Sequence, residues 1–449
     1  MNKKVKFGTD GIRGKANKYP FTEKSLKFLG TAIAQWSIEK YKKNSPKVLI
    51  GYDTRLSSPK IKNFLIKGLT NLPLNVVDGQ ILPTPAVCQL IKGKFNTKNF
   101  DFGIIISASH NSYDDNGIKI FDSKNTKLNK IDENSIIKNF EKNEKNKIVI
   151  KQHEKSIHKI WNDAETFYTK NILSFFKKDF LKGLKIVIDC ANGATYKIAQ
   201  NIFNSLGAST ITVFNNPDGK NINKNCGALH PEKLINTVIE NKADAGFAFD
   251  GDGDRLISVN KNGKINDGDD ILAILSNHPK IISSKVFVGT IMSNLGLDLY
   301  LNKNNKQLIR TAVGDKHVCE KLNEKNLLLG GEISGHIIMT DYINSSDGIF
   351  ASLRVLETII EKNNLEMKTF KKSPQILINI PILNKKDLKK NPCAKIINEQ
   401  KNKLKNGKII IRYSGTENLL RIMVEYKDEI IAKNTAQILA NKLKNILAK

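Results

Sequence analysis

Ala245-Gly-Phe-Ala-Phe249-Asp250-Gly-Asp-Gly-Asp-Arg255 runs an apolar segment straight into three acids at alternate positions. Five apolar residues bounded by a glycine-rich turn have the length of a buried strand. Three carboxylates this close raise one another's pKa unless something offsets them. The intervening glycines let the backbone fold so that all three face one centre, and a hard divalent cation with oxygen ligands, Mg²⁺ by cellular default, resolves the repulsion. An EF-hand is excluded, because position twelve of such a loop is Lys261 rather than glutamate. A charged surface turn is the competing reading, but a solvated turn has no need of an apolar strand running into it.

Outward from this loop the pattern recurs. Lys47–Asp53, Lys185–Cys190 and Lys285–Thr290 are β-branched runs, each followed by a turn of Gly, Ser or Asn and then helical periodicity, from Pro59, up to Leu206 and from Asn294. Each unit reaches a second apolar strand that ends in a polar loop. Phe102–Ile106 precedes Ser107-Ala-Ser109-His-Asn111, Ala245–Phe249 precedes the acidic loop, and Leu327–Leu329 precedes Gly330-Gly-Glu-Ile-Ser-Gly-His336. The spacing predicts an α/β protein of three α/β repeat domains with mixed sheets, each offering a loop at the C-terminal end of a strand, where open α/β sheets bind ligands. Residues 370–449 differ. Strands at 375–380, 408–413 and 421–425 and a C-terminal amphipathic helix marked by Ile430, Ile431, Ile438, Leu439, Leu443 and Leu447 predict a smaller α+β domain. The expected boundaries are 1–150, 151–256, 257–369 and 370–449, with Glu141–Lys151 as a polar connector.

Composition bounds the function. The 449 residues carry 72 Lys and Arg against 44 Asp and Glu, a net charge of +28. Only seven of the cations are Arg, and 51 Asn accompany them along the whole chain. A nucleic-acid binder concentrates charge in a stripe and favours Arg for bidentate contacts. The lysine spread therefore reads as a solvated coat, or as a field that steers an anionic substrate, and no specific nucleic acid is expected. The longest apolar stretch, Phe102–Ala108, is far too short to span a bilayer. The start, MNKKVKFGTD, lacks an export signal's apolar segment. Five scattered cysteines without CxxC spacing read as free thiols in a reducing cytoplasm.

A metal with three carboxylates is one part of a phosphoryl-transfer site, which also needs a group to carry the phosphoryl and cations to balance charge. Ser109 is the candidate nucleophile and Lys119, in Asn116-Gly-Ile-Lys119, the candidate proton carrier; read alone, the Ser/Asn loop would serve equally as a helix cap. Arg412-Tyr-Ser-Gly-Thr-Glu417 with Arg421 has the makings of a phosphate cradle, with Ser414, Thr416 and the N–H groups around Gly415 as donors and the arginines as bidentate charge. A tight turn with surface charges is its alternative. Four of the seven arginines (13, 255, 412 and 421) stand in these motifs.

At these residues the chain resembles the α-D-phosphohexomutases, and within them the glucosamine branch. The matching strings are FGTDGIRG from Phe7, SASHN with DNGIK, DCANGATY, DGDGDR, GGExSGH and RYSGTExxxR, in the family's order from position 7 to 421. Ser112 stands where the family usually has proline, Ile333 where the branch has glutamine and Lys316 where arginine is common. The resemblance implies four domains around a central cleft. It implies a cytoplasmic enzyme, monomer or homodimer, that interconverts glucosamine 6-phosphate and glucosamine 1-phosphate for amino-sugar nucleotide and cell-wall synthesis. Phosphorylated Ser109 would act through a glucosamine 1,6-bisphosphate, and one Mg²⁺ would sit on Asp250, Asp252, Asp254 and the Ser109 phosphate. Arg13, His110, Lys119, Arg255 and His336 would assist catalysis, Glu332 and Ser334 would bind sugar, and Arg412, Ser414, Gly415, Thr416 and Arg421 would grip the distal phosphate. A phosphoglucomutase or phosphomannomutase of the same family is the alternative, with a basic nucleic-acid-binding protein more remote.

Overall fold

The computed structural model describes residues 5–92, 99–382, 385–413 and 418–447. They divide into two compact units, residues 1–292 with 308–368, and residues 293–307 with 369–449. The first unit holds three mixed sheets. β1 (Ile12–Lys15), β2 (Lys47–Tyr52), β3 (Asn75–Ile81), β4 (Phe102–Ile106), β5 (Asp115–Phe121) and β6 (Ile157–Ile160) lie in the order β1-β5-β4-β2-β3-β6. β7 (Lys185–Asp189), β8 (Ser209–Val213), β9 (Ala245–Phe249), β10 (Leu256–Asn260) and β11 (Ile265–Asn266) lie in the order β11-β10-β9-β7-β8. β12 (Val286–Thr290), β13 (Gln307–Thr311), β14 (Leu329–Gly331) and β15 (Ile337–Met339) lie in the order β13-β12-β14-β15.

The repeat pattern has a common plan. β2 and β4, β7 and β9, and β12 and β14 pair in parallel, and the strand after each polar loop returns antiparallel, β5 on β4, β10 on β9 and β15 on β14. The three loops singled out in the sequence are therefore equivalent connections in three successive repeats. β4 and β9 are buried along their whole length because helices cover parallel sheets on both faces. In the first repeat, Val48, Ile50, Phe102, Ile104 and Ile106 share a core with Leu26, Leu29 and Ile33 of the helix Glu23–Tyr41 and Leu65 and Leu69 of the helix Ser58–Leu69.

Sheet edges move the expected boundaries. The first sheet runs on to Ile160 and the second to Asn266, past 150 and 256, because an edge strand belongs to the sheet it pairs with rather than to the nearest polar stretch. Glu141–Asn146, expected as connector, closes the helix Lys130–Asn146, where buried Phe140 and Asn143 hold the last turns to the core. The strand expected at 327–329 begins at Leu329.

The second unit contains the antiparallel sheet of β16 (Gln375–Pro381), β17 (Lys408–Tyr413) and β18 (Leu419–Glu425), ordered β16-β18-β17. It also takes in the helix Leu295–Lys303, whose Leu295 N–H donates to Glu425 at 2.5 Å and whose capping Asn294 accepts from the Ser373 N–H at 2.9 Å. The C-terminal helix Glu429–Leu447 buries Ala432, Ala436, Leu439, Leu443 and Leu447 against β16 and β18. Ile430, Ile431 and Ile438, expected on that face, are exposed. The stripe follows the 3.6-residue period, so small alanines at the right spacing win over larger isoleucines off it.

Candidate active site

The acidic loop joins β9 to β10, and its three aspartates are almost wholly buried. One carboxylate oxygen from each lies within 4.8 Å of the others. Two glycines make this possible. Gly253 takes φ +73°, open to glycine at little cost, and a side chain on Gly251 would stand 2.7 Å from the Ser109 carbonyl oxygen. Burial and the neighbouring Asp254 charge push Asp252 up to about 7, although Lys119 opposes them. Oδ2 of Asp252 accepts from Thr84 Oγ1 at 2.5 Å and Lys119 Nζ at 2.8 Å. Its Oδ1 is buried and has no hydrogen-bond partner among the described residues. An all-oxygen set with one carboxylate oxygen left over fits a hard divalent cation.

The serine loop joins β4 to β5 and meets the acids from the side. Ser109 Oγ donates to Asp250 Oδ2 at 2.6 Å and lies 3.2 Å from His110 Nδ1. Burial, and then the charges of Arg255 and Arg13, lower His110 to about 3, so its ring is neutral. Ser107, the other loop serine, points away, donating to Asp53 Oδ2 at 2.5 Å and accepting from the Ser109 N–H at 2.9 Å. The backbone of Ser109 is left-handed, with φ +54°.

Lys119, on β5, is fully shielded, yet its ammonium stands 2.8 Å from Asp252, 3.1 Å from Asp254 and 3.1 Å from Asp10. Burial disfavours the charge, but these three acids outweigh it and hold Lys119 well above the ordinary lysine range. Arg13 pairs with the same Asp10 and donates to Asn111 Oδ1 at 3.3 Å. Arg255 sits at the far end of the acidic loop, its N–H donating to Asp250 Oδ1 at 3.2 Å and its Nε 3.8 Å from Oδ2. His336 reaches in from the third repeat, with Nε2 at 3.1 Å from Asp254 and Nδ1 at 3.0 Å from Glu332. Burial works against its charge, but Asp254 chiefly, with Glu332, pushes it up to about 10, an imidazolium donating from both nitrogens.

Glu332, expected on sugar, has both oxygens engaged, one by His336 and the other by the Gly314 N–H at 2.8 Å. Ser334 is half-buried, with Oγ 3.5 Å from His336 Nδ1. Ser109, His110, Lys119, Arg255, Glu332, Ser334, His336 and the three aspartates thus form one continuous constellation, with Arg13 at its edge through Asp10.

In the second unit, Arg412 on β17 and Arg421 on β18 are register partners. Ser414, Gly415 and Thr416, the rest of the expected cradle, lie outside the described residues.

Sequence reading passed over several residues that hold this site. Asp10 couples Arg13 to Lys119, and Lys127 ties Asp10, at 2.6 Å, to Asp315, at 2.8 Å. Thr84 anchors Asp252 by side chain and by its N–H, 2.8 Å from the Asp252 carbonyl oxygen. Arg55 and Asn223 grip the serine loop. The one available signal was Arg55, a scarce arginine in a lysine-rich chain, placed at the C-terminal end of a strand.

Four family models match in order: phosphoglucomutase/phosphomannomutase alpha/beta/alpha domain I over residues 4–147, domain II over 166–263, domain III over 267–375 and the C-terminal domain over 377–442. A phosphoglucosamine mutase of Citrifermentans bemidjiense is 40% identical over 453 residues, covering 97% of this chain and 98% of that one. Among solved structures, a phosphoglucomutase/phosphomannomutase family protein of Burkholderia thailandensis superposes with a TM-score of 0.79 at 22% identity over 97% of both chains. N-acetylphosphoglucosamine mutase of Aspergillus fumigatus, crystallised with GlcNAc-6P and magnesium, gives 0.64 at 16% identity over 99% of this chain and 96% of that one.

Proposed function

The chain belongs to the phosphoglucomutase/phosphomannomutase family, and we propose that it interconverts glucosamine 6-phosphate and glucosamine 1-phosphate through a phosphoserine at Ser109. The observation that carries this is the 2.6 Å approach of the Ser109 hydroxyl to Asp250 inside a ring of three buried acids and a buried ammonium. A hydroxyl placed there can carry a phosphoryl group in a site that both neutralises and orients it.

In the forward half-reaction a free hydroxyl of the sugar phosphate attacks the Ser109 phosphorus. The new P–O bond forms as the bond to Ser109 Oγ breaks and the hydroxyl's proton passes to that Oγ, giving glucosamine 1,6-bisphosphate. The bisphosphate turns over, and Ser109 Oγ then attacks its other phosphorus; the bond from that phosphorus to the sugar oxygen breaks and the serine proton passes to the freed oxygen, so the enzyme recovers its phosphate and releases the isomer. Asp250, Asp252, Asp254 and a Ser109 phosphate oxygen would hold one Mg²⁺, which supplies Lewis-acid polarisation of the transferring phosphoryl. Lys119 and His336, both cationic, offset the charge that collects on the transferring oxygens and hold protons beside them. Arg13 and Arg255 add charge, and neutral His110 faces Ser109 Oγ without adding any. Glu332 and Ser334 meet the sugar hydroxyls, with Glu332 also orienting His336. Arg412, Ser414, Gly415, Thr416 and Arg421 take the phosphate that is not reacting.

The reaction belongs in the cytoplasm, where all five cysteines, buried and free, persist as thiols; among the described residues no helix is long and apolar enough to cross a membrane. Relatives at about this identity and full coverage bear the glucosamine name, and the test is a coupled assay of the purified protein with the 6-phosphates of glucosamine, glucose and mannose. The highest specificity constant is expected with glucosamine 6-phosphate. A higher one with glucose or mannose 6-phosphate would move the chain to another activity of the same family.

A further inference from the structure

Arg55 has five N–H donors, and all five are used. Nε donates to Asp53 Oδ2 at 2.8 Å, Nη2 to the carbonyl oxygens of Ser109 at 2.9 Å and Asn111 at 2.8 Å, and Nη1 to those of Ser112 and, at 3.1 Å, Asp115. Four backbone carbonyls, three in the serine loop and one at the start of β5, thus converge on the guanidinium of a residue that is 1% exposed. Asn223, from the second repeat, adds its two amide hydrogens to the same oxygens, at 2.8 Å to Ser109 and 3.0 Å to Asn111. Each of these two carbonyls therefore has both lone pairs filled, one bond from each domain. The Ser109 N–H is held from the same turn, through Ser107 Oγ to Asp53.

From this geometry we propose that Arg55 and Asn223 are positioning residues for phosphoryl transfer, a two-domain clamp that fixes the main chain on which the nucleophile rides. The proposal rests on the reading of Ser109 as the phosphoserine. Two physical needs meet here. A non-glycine residue at φ +54° persists only where its surroundings over-determine it, and the clamp supplies that restraint. Carbonyl oxygens facing a phosphoryl dianion would repel it, whereas here four of them are turned onto a buried cation instead. The phosphoryl leaves Ser109 and returns in every cycle, so the Oγ must stand in the same place with and without it. Neither Arg55 nor Asn223 donates to a side chain of the reacting cluster, so the clamp works through the main chain alone.

The variants are Asn223→Ala, which deletes two of the bonds, and Arg55→Lys, which keeps the charge but has three donors for five acceptors. A misplacement of about 1 Å at a reacting centre costs on the order of 100-fold. We expect kcat with glucosamine 6-phosphate to fall about 10-fold in Asn223→Ala and about 100-fold in Arg55→Lys, with KM within about twofold of wild type and the melting temperature of Asn223→Ala little changed. The phosphoserine ³¹P resonance of Asn223→Ala should broaden or shift. If Arg55→Lys fails to fold, Asn223→Ala decides alone. Wild-type kcat in a folded Asn223→Ala, or a loss appearing in KM alone, overturns the clamp. Mass spectrometry of the wild-type phosphoenzyme separates the two readings. Phosphate elsewhere than Ser109 overturns the phosphoserine assignment itself, whereas phosphate on Ser109 with unimpaired variants overturns only the clamp.

Discussion

Arg412 and Arg421 stand directly opposite one another in the antiparallel β17–β18 ladder. Like charges in that position repel. In the proposed cradle an anion held between the two guanidinium groups would remove the penalty, each fork matching two oxygens of a phosphate. A chain that writes lysine nearly everywhere else places both arginines at this rung.

Arg421→Lys keeps the charge and loses one of two parallel bonds. A charge-assisted hydrogen bond is worth about 1.5–3 kcal/mol, so kcat/KM should fall roughly 10- to 150-fold, mostly through weaker binding. The same loss should let more 1,6-bisphosphate escape, leave more Ser109 dephosphorylated, and make activity partly rescuable by added bisphosphate. Wild-type affinity together with wild-type bisphosphate retention would show the pair to be surface charge.

Lys119→Met removes the one ammonium among the described residues that touches both Asp252 and Asp254. Groups in such roles contribute about 10²- to 10⁴-fold, and kcat/KM should fall in that range. Three buried carboxylates without their cation should bind Mg²⁺ more tightly, read by calorimetry, and the variant should melt lower without Mg²⁺ and recover with it. Activity within twofold of wild type would remove Lys119 from the reaction.

Chelation should abolish activity and Mg²⁺ restore it, while Mg²⁺ raises the melting temperature of the wild type. In Asp252→Asn, which loses the carboxylate with the unpartnered oxygen, both responses should vanish. Full turnover in excess chelator would contradict the metal assignment.

Asp347, next to Gly348 whose N–H donates to the Gly253 carbonyl oxygen at 3.0 Å, provides a pH signature. Its carboxylate accepts from Tyr168 at 3.0 Å, Tyr342 at 3.1 Å and the Phe350 N–H at 3.0 Å. Burial pushes it up to about 6 against those three donors. An unfolded aspartate titrates near 4, so between roughly pH 4 and pH 6 the folded chain binds the extra proton. Its stabilising share is complete below pH 4 and is lost as pH rises through about 6, a change of about 2–3 kcal/mol. Melting temperatures from pH 4 to 7 should therefore fall less steeply in Asp347→Asn than in the wild type. Parallel slopes would show that Asp347 titrates normally.

The sequence by itself determined the repeat. Apolar runs of five or six residues, each ending in a glycine-, serine- or acid-rich turn, are set by local periodicity and turn chemistry, and β2, β4, β7, β9 and β12 fall where that pattern put them. It also determined which candidate residues share a loop, in the contiguous strings Ser107–Asn111, Asp250–Arg255 and Gly330–His336, because adjacent residues share a loop whatever the rest of the chain does. Tertiary structure decided what joins distant residues. Neither the pairing of Asn223 with a carbonyl 114 residues away nor the place of Arg55 beneath the serine loop leaves a local pattern, since a hydrogen bond needs only proximity in space. Burial decided the rest. Asp252 is pushed up by its own burial and the neighbouring Asp254, and His336 is held as a cation by Asp254, brought from another repeat, and by Glu332, both in a medium without water to screen them, a property of the packed interior that no single strand possesses.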